Sequence, residues 1–341
     1  MAVPLLTRAD VEEARRAIAP FLPPTPLRRA FSVPGGQARL KLECWQPTGS
    51  FKVRGALSAM AALSVAERAR GVVAASAGNH ALGVAHAIQA LGGGIRGTLF
   101  VPETAPRAKV EKLRTFPVTV VEGGATYDDA AARAAEHAKR TGAYEVHPYD
   151  DPRTAAGQGT VALEILEQEP ETGTIVVPVG GGGLIAGMAV AVKAERPDVR
   201  IVAVQPEASP SLRDSLAQGR ALLDYPARPT LADGLAGGIG VIVFAHRHLI
   251  DEVVTVAESE IEDAIVALVA QDQVIAEGAG AVGVAALRSG RLQVKDGRPA
   301  AVVITGANID ARVLGRLLGG HQRDEWLLGG HQRDEWLLGG G

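Results

Sequence analysis

Near-continuous apolar runs alternate with helical patterns almost from end to end, and that alternation leaves this chain few possible folds. The runs at 174–179 (TIVVPV) and 300–305 (AAVVIT) are what central parallel strands look like when both faces are covered. Further strands are predicted at 39–43, 71–75, 97–101, 118–121, 143–147, 200–205 and 252–256. Between them, Asp151-Pro152 and Ser209-Pro210 each set a capping residue before a proline at the first helical position. Ile261, Ala264, Ile265, Leu268 and Val269 form the apolar stripe of a packed helix. The expectation is an α/β fold with parallel sheets and right-handed crossovers.

Composition narrows the function classes. A length of 341 residues fits about two domains, and 35 basic against 38 acidic residues leave a net charge of −3. That balance excludes a broad basic face for nucleic acid or an anionic membrane. A single cysteine, Cys44, excludes an internal disulfide framework and any all-cysteine metal site. The N-terminus acquires charge at Arg8, Asp10, Glu12 and Glu13, so no signal peptide is read. Residues 175–192 carry no charge, but Pro178 and the run Gly180, Gly181, Gly182, Gly183 would break a lipid-exposed helix. A soluble, cytoplasmic homodimer or homotetramer acting on a small molecule is expected. The decamer HQRDEWLLGG occupies 321–330 and again 331–340, too short and too few to be a solenoid; the tail 321–341 is left outside the fold argument.

In open α/β sheets, ligands sit beyond the carboxyl ends of the strands. After the first predicted strand, Lys52 opens a helix behind a Thr-Gly-Ser turn with Phe51 beside it. Helix dipoles and partial burial would lower its pKa, as an amine that attacks a carbonyl needs; a solvated first-turn lysine fits that segment equally well. The other lysines, Lys41 included, read as surface charges. After 71–75 comes Ser76-Ala77-Gly78-Asn79-His80, a seat for a carboxylate or an ordinary capping loop. After 174–179, four glycines let backbone wrap a phosphate at a helix start. A nicotinamide fingerprint would need an acidic residue at the next strand end, where Gln205 stands. After the last strand, Thr305 offers a neutral hydroxyl or a turn cap. No histidine pair has metal-ligand spacing, and no metal site is expected. Together, an amine, a phosphate cradle, a carboxylate loop and a neutral hydroxyl describe pyridoxal phosphate chemistry.

The segments TGSFKVRGA, SAGNH, HPYDDPRTAAGQGT, VPVGGGGLIAG, LADGLAGG and ITGANID follow the order seen in fold-type II pyridoxal phosphate enzymes. Over roughly residues 5–318 the chain resembles the threonine/serine dehydratase and serine racemase family, most closely threonine dehydratases with a catalytic domain only. The resemblance implies two open twisted parallel-sheet domains with helices on both faces and the cofactor in the cleft between them. Residues 1–49 plus 149–320 would form the large domain and 50–148 the small one. Lys52 would be the Schiff-base lysine and the base that removes the α-proton. Phe51, Asn79, Gly180, Gly181, Gly182, Gly183 and Thr305 would bind the cofactor, Asn79 at its 3-hydroxyl and Thr305 at its pyridine nitrogen. Ser76, Ala77, Gly78, Asn79 and His80 would seat the substrate. Glu277 matches a family glutamate near the cofactor, with no step assigned.

The implied reaction is dehydration and deamination of L-threonine or L-serine to 2-oxobutanoate or pyruvate plus ammonia. Alternatives are a dehydratase of 3-hydroxyaspartate or a hydroxyectoine-derived acid, a serine racemase, or a pyridoxal phosphate-binding sensor or storage protein. Eukaryotic racemases carry serine where this chain has Ala77, so weak racemisation is expected. Gln205 and Ser211 stand where a racemase-like metal site would have carboxylates, so no magnesium requirement is expected. The chain ends soon after ITGANID, so feedback inhibition by isoleucine through a regulatory domain is not expected. Leu82 replaces a glutamine common in the family, with no consequence assigned.

Overall fold

The computed structural model describes residues 5–294 and 297–329. The strands fall into two sheets. In chain order they are β1 (Leu27–Arg29), β2 (Ala38–Lys41), β3 (Val72–Ala75), β4 (Gly97–Val101), β5 (Thr119–Glu122), β6 (Tyr144–Glu145), β7 (Thr174–Pro178), β8 (Arg200–Pro206), β9 (Glu252–Val256) and β10 (Ala300–Val303). The larger sheet runs β1-β2-β10-β7-β8-β9 and the smaller β5-β4-β3-β6. Every pairing is parallel except β1 with β2, where Leu27 faces Lys41.

Alternate residues of the central strands enter different cores, which puts helices on both faces as expected of buried parallel strands. Ile175, Val177, Ile201 and Ala203 pack with helices Pro152–Gln168 and Gly183–Lys193. Their neighbours Val176, Val202 and Val204 pack with helices Glu258–Ala267 and Gly278–Arg288. In the smaller sheet, Val72 and Ala74 join helices Lys52–Ala61 and Asn79–Leu91, while Val73 and Ala75 meet Ala130 and Ala134 of helix Tyr127–Thr141.

Several expectations shift. β1 is absent from the sequence expectation, because three residues carrying two arginines give no strand periodicity. Only Tyr144 and Glu145 remain of the strand expected over 143–147. Asp151 caps its helix as expected, accepting from Thr154 N at 2.8 Å with Pro152 in the first turn. The Ser209-Pro210 helix begins only at Ser211, with Pro210 itself in the cap position. Ile261, Ala264, Ile265 and Leu268 are buried, but beyond Ala267 the helix widens into a π turn over Leu268–Asp272 and Val269 is part-exposed. Residues 175–192 are divided among β7, the glycine loop and helix Gly183–Lys193. Among the described residues no helix is long and apolar enough to cross a membrane. Helix Ala311–Gly329 runs through most of the first tail decamer, and the second decamer lies outside the described residues.

Lys41 is the clearest correction. It is wholly buried, donating to Glu164 Oε2 at 2.6 Å, Thr25 O at 2.7 Å and Gln168 Oε1 at 2.9 Å. Buried Arg54 forks between Glu43 (2.7 and 2.8 Å) and Glu164 (2.6 and 2.9 Å), so two cations meet two carboxylates inside the protein. Arg54 lies two positions beyond Lys52, about 200° around the helix. One face of that helix is thus ion-paired to the interior while Lys52 takes another.

Candidate functional site

Lys52 begins helix Lys52–Ala61, and its Nζ donates to Pro148 O at 2.9 Å. It stands 5.2 Å from the centre of the Phe51 ring. Burial pushes the amine down to about 8, opposed by the charge of Glu277. Among the described residues no ion pair holds it in the charged form, and its lone pair becomes available as pH rises through about 8. Helix Asn79–Leu91 crosses close by: a Cβ on Gly83 would come within 3.0 Å of the Lys52 carbonyl.

The loop after β3 supplies the start of that helix. Ser76 Oγ accepts from Gly78 N at 3.1 Å, closing the turn. No side chain caps the helix, whose first internal bond runs from Leu82 N to Gly78 O. A Cβ at Gly78 would meet no atom within 4 Å, so the space before the helix is open. Ala77 is partly buried and packs against the core shared by helices Lys52–Ala61 and Asn79–Leu91. The His80 ring is not part of this open edge. It is buried, and because a carbonyl can only accept, its Nε2 donates to Val146 O at 2.6 Å. Burial first, and then the Lys52 charge, push the ring down to about 3, so it stays neutral. What His80 can offer an anion at the helix start is its backbone N–H.

The glycine loop is built differently from what phosphate wrapping alone would ask. Gly182 adopts a left-handed conformation (φ 89°) that disfavours any other residue. Gly181 and Gly183 lie against Tyr149: a Cβ on the first would clash with its ring, 2.3 Å from Cγ, and one on the second would sit 2.5 Å from its carbonyl oxygen. Gly180 is similarly closed by Gly234 and Leu235. The helix Gly183–Lys193 has no side-chain cap, leaving its first-turn N–H groups for an anion. The loop beneath is held by His147, whose Nδ1 accepts from Asp150 N at 2.8 Å and whose ring meets Tyr149 edge-on. Asp150 in turn accepts from Ile242 N at 2.9 Å. From sequence, His147 reads as structural or surface and Tyr149 is not singled out; the residue-level signal is only their position at a strand end.

Thr305 follows β10 and is buried; its carbonyl accepts from Phe51 N at 3.0 Å, and Ser50 pairs with Gly306. Asn79 Nδ2 donates to Glu277 Oε1 at 2.7 Å. Burial and the charge of Asp233 push the Glu277 carboxyl up to about 7, against the pull of that hydrogen bond and of Lys109. Asn308, unassigned from sequence, donates to Asn79 Oδ1 at 2.7 Å. The expected residues therefore converge: Lys52, Phe51 and Thr305 through one set of bonds, Asn79 and Glu277 through another, and the glycine loop through Tyr149 and its neighbour Pro148.

At the racemase-like metal position, Gln205 is buried and caps a helix instead, its Oε1 accepting from Leu212 N (3.0 Å) and Arg213 N (3.2 Å) and its Nε2 donating to Ser211 Oγ (3.3 Å). Among the described residues no group of three or more His, Cys, Asp or Glu could hold a metal ion.

An amine of lowered basicity, two uncapped helix starts and a buried threonine after the last strand fit pyridoxal phosphate and a carboxylate substrate. Comparison with known proteins agrees. Residues 18–306 match the family model described as pyridoxal-phosphate dependent enzyme. The L-threonine ammonia-lyase of Thermotoga maritima is 46% identical over 92% of this chain and 78% of its own length. The catabolic L-threonine dehydratase TdcB of Staphylococcus aureus (strain N315) is 40% identical over 91% of this chain and 92% of its own length. Among solved structures, maize serine racemase superposes with a TM-score of 0.86 at 33% identity, covering 94% of this chain and 99% of that one. The processed form of threonine deaminase isoform 2 from Solanum lycopersicum gives 0.84 at 32% identity, covering 91% and 92%. With its two sheets, its buried lysine and a family match across most of its length, this chain belongs to the pyridoxal-phosphate dependent enzymes.

Proposed function

We propose that this protein is an ammonia-lyase that converts L-threonine, and L-serine, to 2-oxobutanoate or pyruvate with release of ammonia. The observation that carries the reading is the Lys52 amine, lowered to about 8 and resting on a neutral carbonyl. The substrate class is drawn from relatives named for threonine.

When bound through Lys52, pyridoxal phosphate draws off the electron pair left at the substrate's α-carbon. In this reading Gly180, Gly181, Gly182 and Gly183, with the helix behind them, hold its phosphate. Asn79 would donate to its 3-hydroxyl, Thr305 would face its ring nitrogen, and Phe51 would lie beside it. Ser76, Ala77 and Gly78, with the N–H groups of Asn79 and His80, seat the substrate carboxylate. Lys52 Nζ would be the base that takes the α-proton. The β-hydroxyl leaves with a proton as water, a carbon–carbon double bond forms, and the unsaturated amine then takes up water and loses ammonia. A hydroxyl at Thr305 does not hold a proton on the ring nitrogen as a carboxylate would, which favours β-elimination over transamination. The domain division 1–49 plus 149–320 and 50–148 belongs to the same proposal.

A spectrum with and without L-threonine, coupled to keto-acid detection, tests the activity: a visible band that changes on addition, with 2-oxobutanoate formed, is expected. A persistent band with no product would favour a binding protein. Borohydride reduction and peptide mapping should label Lys52. We also propose a cytoplasmic homo-oligomer, supported by the exposed Phe31, Trp45 and Ile275 and by a lone buried cysteine. Light scattering of the purified protein and cell fractionation check those two points.

A further inference from the structure

This chain of 341 residues contains only two asparagines, Asn79 and Asn308, and they are hydrogen-bonded to each other. They lie 229 positions apart, so the contact belongs to the tertiary fold alone. An asparagine amide can face either way, and neighbours of fixed polarity decide which. Here they do. Thr48 O can only accept, and Asn308 Nδ2 donates to it at 2.9 Å. Lys112 Nζ can only donate, and it reaches Asn308 Oδ1 at 3.4 Å. Asn308 is thereby compelled to present N–H, not oxygen, to Asn79. Asn79 must answer with its oxygen, which turns its own NH2 toward Glu277 Oε1 at 2.7 Å. The clamp is tightly built: a Cβ on Gly306 would collide with Glu277 Oε1 and come within 3.3 Å of Asn79 Nδ2. Asn79 Nδ2 carries two hydrogens, and Glu277 takes one, leaving the second as a donor of fixed direction.

We propose that Asn308 is a positioning residue, which orients the Asn79 amide so that its remaining N–H is presented to the cofactor's hydroxyl. This rests on the reading of Asn79 as a cofactor contact, and its test is chosen to stand apart from activity. With asparagine labelled at the side-chain nitrogen, the protein has only two such amide groups to observe. In the holoenzyme both should exchange their hydrogens with solvent at least tenfold more slowly than free asparagine. Asn308→Ala, which removes both donors without adding charge, should speed exchange of the Asn79 amide at least tenfold. It should also weaken pyridoxal phosphate retention about tenfold, as expected for one lost hydrogen bond. Asn308→Asp, which can only accept, should shift the pH titration of the bound cofactor's visible band. An Asn79 amide unchanged in exchange and chemical shift in Asn308→Ala would overturn the proposal, as would an unshifted titration in Asn308→Asp. Should neither variant fold, free-asparagine exchange at either amide of the parent would overturn it alone. A parent without a visible band counts against the proposed function, while the exchange measurement still decides the clamp.

Discussion

The Tyr149 ring occupies the place where Gly181 would carry a side chain. Two strand-end loops, one following β6 and one following β7, are keyed together by that contact. Pro148, the residue before Tyr149, supplies the carbonyl on which Lys52 rests. The glycine loop is therefore coupled to the lysine through one aromatic residue.

Gly181→Ala should push Tyr149 aside and cost about 1–3 kcal/mol, as overpacking of a filled interior does. Because the displaced loop carries Pro148, cofactor retention should fall as well. Denaturant melts and a pyridoxal phosphate titration read the two effects. Unchanged stability would mean that the ring yields freely.

Lys52 has a folded-state pKa near 8, below its ordinary 10.5. The amine frees its lone pair as pH rises through about 8, so capture of pyridoxal phosphate by apoprotein should accelerate across that pH. Between about 8 and 10.5 the unfolded chain binds more protons at this group than the folded one, so its contribution makes stability rise with pH there. Lys52→Ala should lower turnover by about 10²–10⁴-fold, the range for a lost general base. An acceleration centred near 10.5 would refute the lowered value.

Arg54→Met should be among the most destabilising single changes in the protein, because it leaves Glu43 as a buried carboxylate without its cation and leaves Glu164 with Lys41 alone. About 3–5 kcal/mol is expected for breaking such a pair. Burial alone would raise the Glu43 carboxyl, yet the Arg54 guanidinium holds it below the usual carboxylate range. Adding Glu43→Gln to Arg54→Met should recover part of the loss, and urea unfolding of the three proteins measures it.

In the proposed site Ala77 would lie on the face of the substrate away from Lys52, where its methyl group has no proton to give. L-serine should yield pyruvate with little D-serine, and Ala77→Ser should raise the D-serine fraction by supplying a hydroxyl there. Chiral chromatography of the product mixture reads the ratio. D-serine forming faster than pyruvate in the parent would contradict this.

Chelation should leave activity intact. Gln205 and Ser211 are neutral and bonded to one another, and Gln205 caps the helix beginning at Ser211. A large loss in EDTA, restored by magnesium, would be the contrary result.

Much of the fold was legible because burial on both faces of a parallel strand leaves an uninterrupted apolar run that needs no partner to be recognised. β4 and β9 fall where that pattern placed them, and β7 ends one residue early at Pro178. The strand expected over 143–147 is cut short where the backbone divides its partners: Val146 N still donates to Val73 O of β3, but Val146 O takes the His80 ring and, just beyond the expected span, Pro148 O takes Lys52. Neither His80 nor Lys52 is near in sequence.

The site divides in the same way. Residue type and position at a strand end marked Lys52, Asn79, the four glycines and Thr305, since those are local properties of the chain. That alone could not tell a reactive lysine from a solvated one, nor a buried Lys41 from a surface one. Charge state depends on what surrounds a group, and those surroundings come from elements as much as 260 residues apart, as the Asn308–Thr48 bond illustrates. Local sequence thus determined which groups stand at the sheet edges. Only the tertiary structure decided their pKa values, the direction of the Asn79 amide and the closeness of Tyr149 to the glycine loop, because each arises from desolvation and contact between distant segments.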